Sequence, residues 1–176
     1  MDPKATGLLI LCFGPATKKI SEFQNLGKEY IGEIFIGGTT PTYDTEAEVN
    51  EKFAIDHITE EMLLSVAKKF IGTIEQVPPI YSAIKKDGIR LFKRARAGEA
   101  VEIKKRKVTI DAFELNRFDL PLVTFRVQCQ KGTYIRSLAY DFGKALNSGA
   151  YLYSLRRTKI GDYDVKNAWK VEDLCK

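Results

Sequence analysis

The chain has 176 residues, 44% hydrophobic and 29% charged, with a formal net charge of +5; that is enough for one buried core and too little for two comfortable domains. Its longest apolar run, Leu8 to Phe13, falls far short of the roughly 20 residues that span a bilayer, and the flanking Asp2 and Gly14-Pro15 argue against a secretory signal. Three widely spaced cysteines (Cys12, Cys129, Cys175) and a single histidine, His57, supply neither a disulfide frame nor a zinc ligand set, so a cytoplasmic protein without metal chemistry is expected.

Charge is unevenly distributed. Asp44 to Glu61 holds seven acids and one lysine, whereas Lys85 to Lys107 holds ten basic residues and three acids. Such asymmetry suits either a face built for a large anion, of which nucleic acid is the commonest, or a solvated lysine-rich surface.

In chain order, the opening MDPKATGLLILCFGPATKK reads like the interior of a folded enzyme, with a carboxylate, Asp2, at its very start. Lys28 to Gly37 is expected to be a strand with apolar residues on both faces, Tyr30, Ile34 and Ile36 opposite Ile31 and Phe35, hence a central one. Thr59 caps a helix with Glu60 and Glu61 in its first turn and Lys68 and Lys69 in its last, stopped by Gly72. Its core stripe is Met62, Leu63, Val66, Ala67 and Phe70.

Val77-Pro78-Pro79 precedes a strand-like IYSAIKKDG and a short basic helix, IRLFKRARAG. Lys105 to Phe118 and Leu122 to Gln130 form two strands turning at Asp119-Leu120-Pro121, the second with Val123, Phe125, Val127 and Cys129 inward. GTYIRSLAYDFGKALN is helical, with Arg136 and Tyr140 off its core stripe and four residues apart. AYLYSLRRTKIGDY returns as a strand, and VEDL closes the chain. Strands and helices mix without regular alternation, so the class is α+β.

No phosphate loop and no nucleophile-histidine pair is present, which leaves carboxylate, arginine and tyrosine as the chemical groups. Asp2 is ionised at neutral pH and needs no activating base, and Pro3 gives it a defined turn; a terminal carboxylate can equally be an accident of position. Arg136 can pair with a carboxylate, grip a phosphate or sit solvated on a helix. Tyr30 fills core or stacks on a base. Lys85, Lys86, Arg90, Lys93, Arg94 and Arg96 offer cations to phosphates, and Arg156 and Arg157 add a second cationic point.

Five segments in order resemble the bacterial TruB type of tRNA pseudouridine synthase. DPKATGLLILCFGPATK resembles the catalytic loop, KEYIGEIFIG the strand with the active-site tyrosine, and QVPPIYSAIKKDGIRLFKRARAGE the RNA-clasping segment. KGTYIRSLAYDFG resembles the arginine motif and SGAYLYSLRRTKIG the late strand. The resemblance implies a pseudouridine synthase catalytic fold, a mixed and largely antiparallel sheet flanked by helices, as a single domain over residues 1–176. It implies isomerisation of uridine 55 in the tRNA T-loop on a flipped-out base, without a cofactor. Asp2 would be the catalytic aspartate, Arg136 its partner, and Tyr30 would lie against the base. Tyr134 and Leu155 would line the uridine pocket, with Lys85, Arg90, Arg94 and Arg156 on the RNA.

The chain departs from the family pattern in several places. The strand, loop and histidine that precede the aspartate are missing, so an N-terminally truncated synthase is expected. Lys4 stands where leucine is usual, TTPTYDT replaces a familiar Thr-Asp-Thr, and a C-terminal RNA-binding appendage is not expected. The expected partner is the tRNA T-stem-loop, bound by a monomer; a strand edge uncovered by the truncation is the route to any dimer. Two other readings remain: a non-catalytic module that recognises the T-arm, and a small-molecule enzyme using Asp2 and Arg136.

Overall fold

The computed structural model describes residues 4–82, 85–86, 89–90 and 103–174. Among them, seven strands form one sheet. Its strands are β1 (Thr6–Gly7), β2 (Lys28–Ile36), β5 (Gly72–Gln76), β8 (Arg106–Asp119), β9 (Leu122–Cys129), β10 (Ala150–Ile160) and β11 (Tyr163–Asp164). The spatial order is β1-β10-β2-β9-β8-β5, with β11 on β10. Only the β1–β10 pairing in this sheet is parallel. Two small ribbons, β3 (Gly38–Thr39) with β4 (Glu51–Lys52) and β6 (Lys85–Lys86) with β7 (Ile89–Arg90), stand apart from it.

Among the described residues, the α-helices are α1 (Ile20–Asn25), α2 (Glu60–Lys68), α3 (Ile135–Ala145) and α4 (Val171–Leu174). The core forms where α2 and α3 bury Leu63, Val66, Ala67, Leu138, Ala139 and Phe142 against Ile34, Ile36, Val123, Phe125 and Val127. This mixed, largely antiparallel sheet with flanking helices is the expected architecture. Phe142 sits at the centre of an edge-to-face aromatic cluster, its ring 5.6 Å from Phe113 and 6.2 Å from Phe70.

Local chemistry explains most of these elements. The Thr59 hydroxyl accepts from the Met62 amide at 3.2 Å and starts α2 as expected. Strand β9 alternates strictly, with Val123, Phe125, Val127 and Cys129 buried. On the opposite face Arg126 ties three strands together: it donates to Glu29 at 2.8 Å and, through two nitrogens, to Glu114 at 2.6 and 3.0 Å. Burial works to raise the Glu29 carboxyl, but hydrogen bonds from Gln128, Thr158 and Arg126 overcome it, leaving Glu29 below its ordinary range.

One expectation needs correction, and two stretches are more exposed than their apolar residues suggest. Ile89–Arg90 is not the start of a helix but a strand, paired with Lys85–Lys86; residues 91–98 lie outside those described. The apolar run after Gly7 faces solvent along much of its length. Leu8 is buried, whereas Leu9, Leu11 and Phe13 are 59%, 59% and 77% exposed, because the run leaves the sheet edge after β1. Strand β2 is central, as expected, and its second face is covered only in part: Glu29 is buried and Phe35 half-buried, whereas Ile31 is exposed and lines a cavity.

Since Phe142 is fully buried among Phe70 and Phe113, Phe142→Ala is expected to cost about 3 to 5 kcal/mol of stability in urea denaturation.

Candidate active site

The N-terminus of α3 is held by an unusual amount of polar chemistry. Gln76, at the end of β5 and 2% exposed, bridges the Tyr134 backbone. Its side-chain nitrogen donates to the Tyr134 carbonyl at 3.0 Å, and its oxygen accepts from the Tyr134 amide at 2.8 Å. One turn on, the Ser137 hydroxyl donates to the Val77 carbonyl at 2.7 Å. The Gln-Val-Pro-Pro segment is thereby laid across the start of the helix.

Arg136 lies between these contacts and is buried, with 10% of its side chain exposed. Its Nη2 donates to the Tyr81 carbonyl at 3.0 Å; its Nη1 donates to the Thr42 carbonyl at 3.2 Å and to Asp44 Oδ2 at 3.3 Å. Of the roles left open for Arg136, pairing with a carboxylate is realised and solvation is excluded. Asp44 is itself fixed: Oδ1 accepts from the Thr42 hydroxyl at 2.6 Å and the Glu46 amide at 2.8 Å. Sequence reading missed Asp44, although the acidic residue of TTPTYDT was the only available signal.

The segment that follows Asp2 arrives at the same loop. Lys4 Nζ donates to the Thr45 carbonyl at 2.6 Å and to its hydroxyl at 3.3 Å. Thr6 and Gly7 then run parallel to Arg156 and Arg157 on β10. Gly7, with φ of +95°, has no room for a side chain, since a Cβ there would meet the Arg157 carbonyl oxygen at 2.2 Å. The Leu8 amide donates back to that carbonyl at 2.8 Å.

Arg157 is therefore no phosphate contact. It is buried, and its Nε and Nη2 both donate to the Leu8 carbonyl at 2.8 and 2.5 Å. Strand alternation turns its neighbour Arg156 outward, where it lines a cavity of about 600 Å³ together with Lys4, Ile31, Thr45, Tyr153 and Leu155.

The other expected site residues divide by position. Leu155 and Tyr30 are half-buried and pack against the core, and burial raises the Tyr30 hydroxyl above its ordinary range. Tyr134 immediately precedes α3. Lys85 and Arg90 face each other in backbone register on the β6–β7 ribbon. Asp2 and Arg94 lie outside the described residues. Among the described residues, no group of three or more His, Cys, Asp or Glu could hold a metal ion, and no helix is long and apolar enough to cross a membrane.

Burial pushes the Tyr43 hydroxyl up to about 12, with Tyr140 and Asp141 adding to it. Burial also pushes the Asp141 carboxyl from 3.8 to about 6, against the pull of Lys144. The folded chain thus holds this proton more tightly than the unfolded one, and stability falls as pH rises between those two values. Asp141→Asn is expected to remove that slope, raising the thermal midpoint at pH 7 and leaving it unchanged near pH 3. For the buried ion pair, Asp44→Ala is expected to cost about 3 kcal/mol in urea denaturation, because it removes a carboxylate that offsets the buried Arg136 charge.

The "TruB family pseudouridylate synthase (N terminal domain)" model matches residues 1–135, and the "tRNA pseudouridylate synthase B C-terminal domain" model matches residues 136–176. A tRNA pseudouridine synthase B of Flavobacterium johnsoniae is 61% identical over 168 residues, 96% of this chain and 73% of that protein. Its counterpart in Parabacteroides distasonis is 48% identical over 99% of this chain and 74% of its own length. Among solved structures, a chain of a Cbf5-Nop10-Gar1 complex superposes with a TM-score of 0.72 at 27% identity, covering 99% of this chain. A chain of an H/ACA RNP bound to a substrate RNA containing 2'-deoxyuridine gives a TM-score of 0.65 at 26% identity over 93% of this chain. This chain spans only 43% and 38% of those two. With family models matching from its first residue to its last and a relative of such high identity, the chain belongs to the TruB family of pseudouridylate synthases.

Proposed function

We propose that this chain isomerises uridine 55 in the T-loop of tRNA to pseudouridine in the cytoplasm, acting as a monomer and a single catalytic unit over residues 1–176. Asp2 is the catalytic aspartate in this reading, Arg136 pairs with it, and Tyr30 lies against the target base. The observation that carries the reading is the convergence on one loop: Asp44 holds Arg136, and the adjacent Thr45 holds Lys4. Lys4, two positions after Asp2 in the sequence, is held on that loop by two hydrogen bonds.

The reaction breaks the bond from uracil N1 to ribose C1′, turns the base and joins C5 to C1′. C5 loses a proton and N1 gains one, so the balance needs no oxidant, reductant or second substrate. The site must keep two fragments together while the base turns, which favours a fixed carboxylate and an enclosing wall. A guanidinium already buried and oriented by Asp44 supports that role, since it keeps a nearby carboxylate ionised. Leu155 and Tyr134 serve as walls of the uridine pocket.

The target base lies in a folded loop and must be extruded, at a cost of a few kcal/mol that phosphate contacts offset. Lys85, Arg90, Arg94 and Arg156 supply those contacts. The cavity that Arg156 and Leu155 share supports a nucleotide held between cation and apolar wall.

A T-arm RNA hairpin incubated with this chain is expected to gain pseudouridine at one position, read by tritium release from C5-labelled uridine. Asp2→Asn is expected to bring release below detection while hairpin binding persists. Binding without release by the parent chain would instead favour a T-arm recognition module, and full activity in Asp2→Asn would remove Asp2 from its role.

A further inference from the structure

The loop that carries Asp44 is fastened to α3 at a second point, one helical turn beyond Arg136. The Tyr43 ring stacks on Tyr140, with centroids 4.0 Å apart and planes 16° from parallel. The Lys144 ammonium lies 5.5 Å from the Tyr140 centroid. Arg136, Tyr140 and Lys144 follow one another at four-residue spacing, so they share one face of the helix.

Tyr43 pays for this arrangement in its backbone. Its φ is +62°, a left-handed conformation that tyrosine disfavours and asparagine or glycine takes readily. The turn directs both neighbours of Tyr43, the Thr42 carbonyl and the Asp44 carboxylate, at the same Arg136 nitrogen, 3.2 and 3.3 Å away. A glycine or asparagine would serve the backbone at lower strain. What tyrosine adds is a ring, and the ring is spent on Tyr140.

We propose that Tyr43 and Tyr140 are a positioning pair whose stack seats the 40–46 loop on α3 and so sets the Arg136 guanidinium for the isomerisation, an inference that rests on the function proposed above. The Asp44 carboxylate meets Arg136 through one nitrogen at 3.3 Å, a single point about which the loop can swing. The stacked rings add a second point of attachment between loop and helix and so limit that swing. It lies in TTPTYDT, where this chain departs from the family pattern, so the pair belongs to this loop and its helix rather than to the reaction in general.

The test uses the whole chain and a T-arm RNA hairpin, with three readouts: single-turnover conversion, hairpin affinity, and the Arg136 Nε–Hε magnetic resonance. Tyr43→Asn suits the left-handed backbone and removes the ring together with its hydroxyl; Tyr43→Phe removes the hydroxyl alone and keeps the stack. Tyr43→Asn and Tyr140→Ala are each expected to slow conversion by about 10- to 100-fold with hairpin affinity unchanged. The double variant is expected to be no slower than the slower single one, because both remove the same contact. Tyr43→Phe should restore conversion, and the Arg136 resonance should move in Tyr43→Asn but not in Tyr43→Phe. Parental conversion by Tyr43→Asn, losses that multiply in the double variant, a loss carried by affinity, or an unmoved Arg136 resonance would each overturn the proposal. Should the parent chain convert no uridine, the functional reading fails by itself, and the resonance alone decides this inference.

Discussion

A buried guanidinium is expensive, and everything around Arg136 is arranged to offset that expense. Stripping water from such a cation costs several kcal/mol unless hydrogen bonds replace the lost shell. Among the described residues, the replacements come from two separate stretches of chain: the Thr42 carbonyl and Asp44 carboxylate, and the Tyr81 carbonyl. Each stretch is in turn anchored by contacts of its own. Gln76 clamps the backbone of Tyr134, Ser137 holds Val77, and Asp44 is closed by Thr42 and Glu46. The arginine is therefore the point at which loop, helix and proline-containing segment become mutually fixed.

This explains why the site's framework is polar in a protein whose core is ordinary. The aromatic cluster and the aliphatic residues of β2 and β9 hold the sheet to its helices, and they do so through area rather than direction. Direction comes from the hydrogen bonds just described, which accept only a narrow range of geometry. On the other face of the sheet the Glu29–Arg126–Glu114 ladder plays a related part, locking the register of β2, β9 and β8.

Much of this was legible in the sequence, and what was not has identifiable causes. The alternation of β9 and the capped helix after Thr59 are local patterns, so they could be read from a dozen residues. Strand β1 could not: it is two residues long and exists because Gly7 permits a backbone approach to Arg157. Asp44 escaped notice because its partner lies 92 residues away, and no spacing rule spans that distance. Reading Arg156 and Arg157 as one cationic point was avoidable. Adjacent residues in a strand face opposite ways, so one of the two had to turn inward. The ordered family motifs carried the assignment of function, and they carried it further than charge asymmetry or composition could.

The strap between Leu8 and Arg157 has a consequence for synthesis. Arg157 holds Leu8 across 149 positions, and among the described residues β1 has its sheet partner in β10. A ribosome releases residues from the amino end first, so the segment following Asp2 waits without its dock until β10 has emerged. The proposed catalytic loop is thus made well before the strand that seats it. A nascent molecule that has reached β9 but not β10 still lacks the seat of that loop.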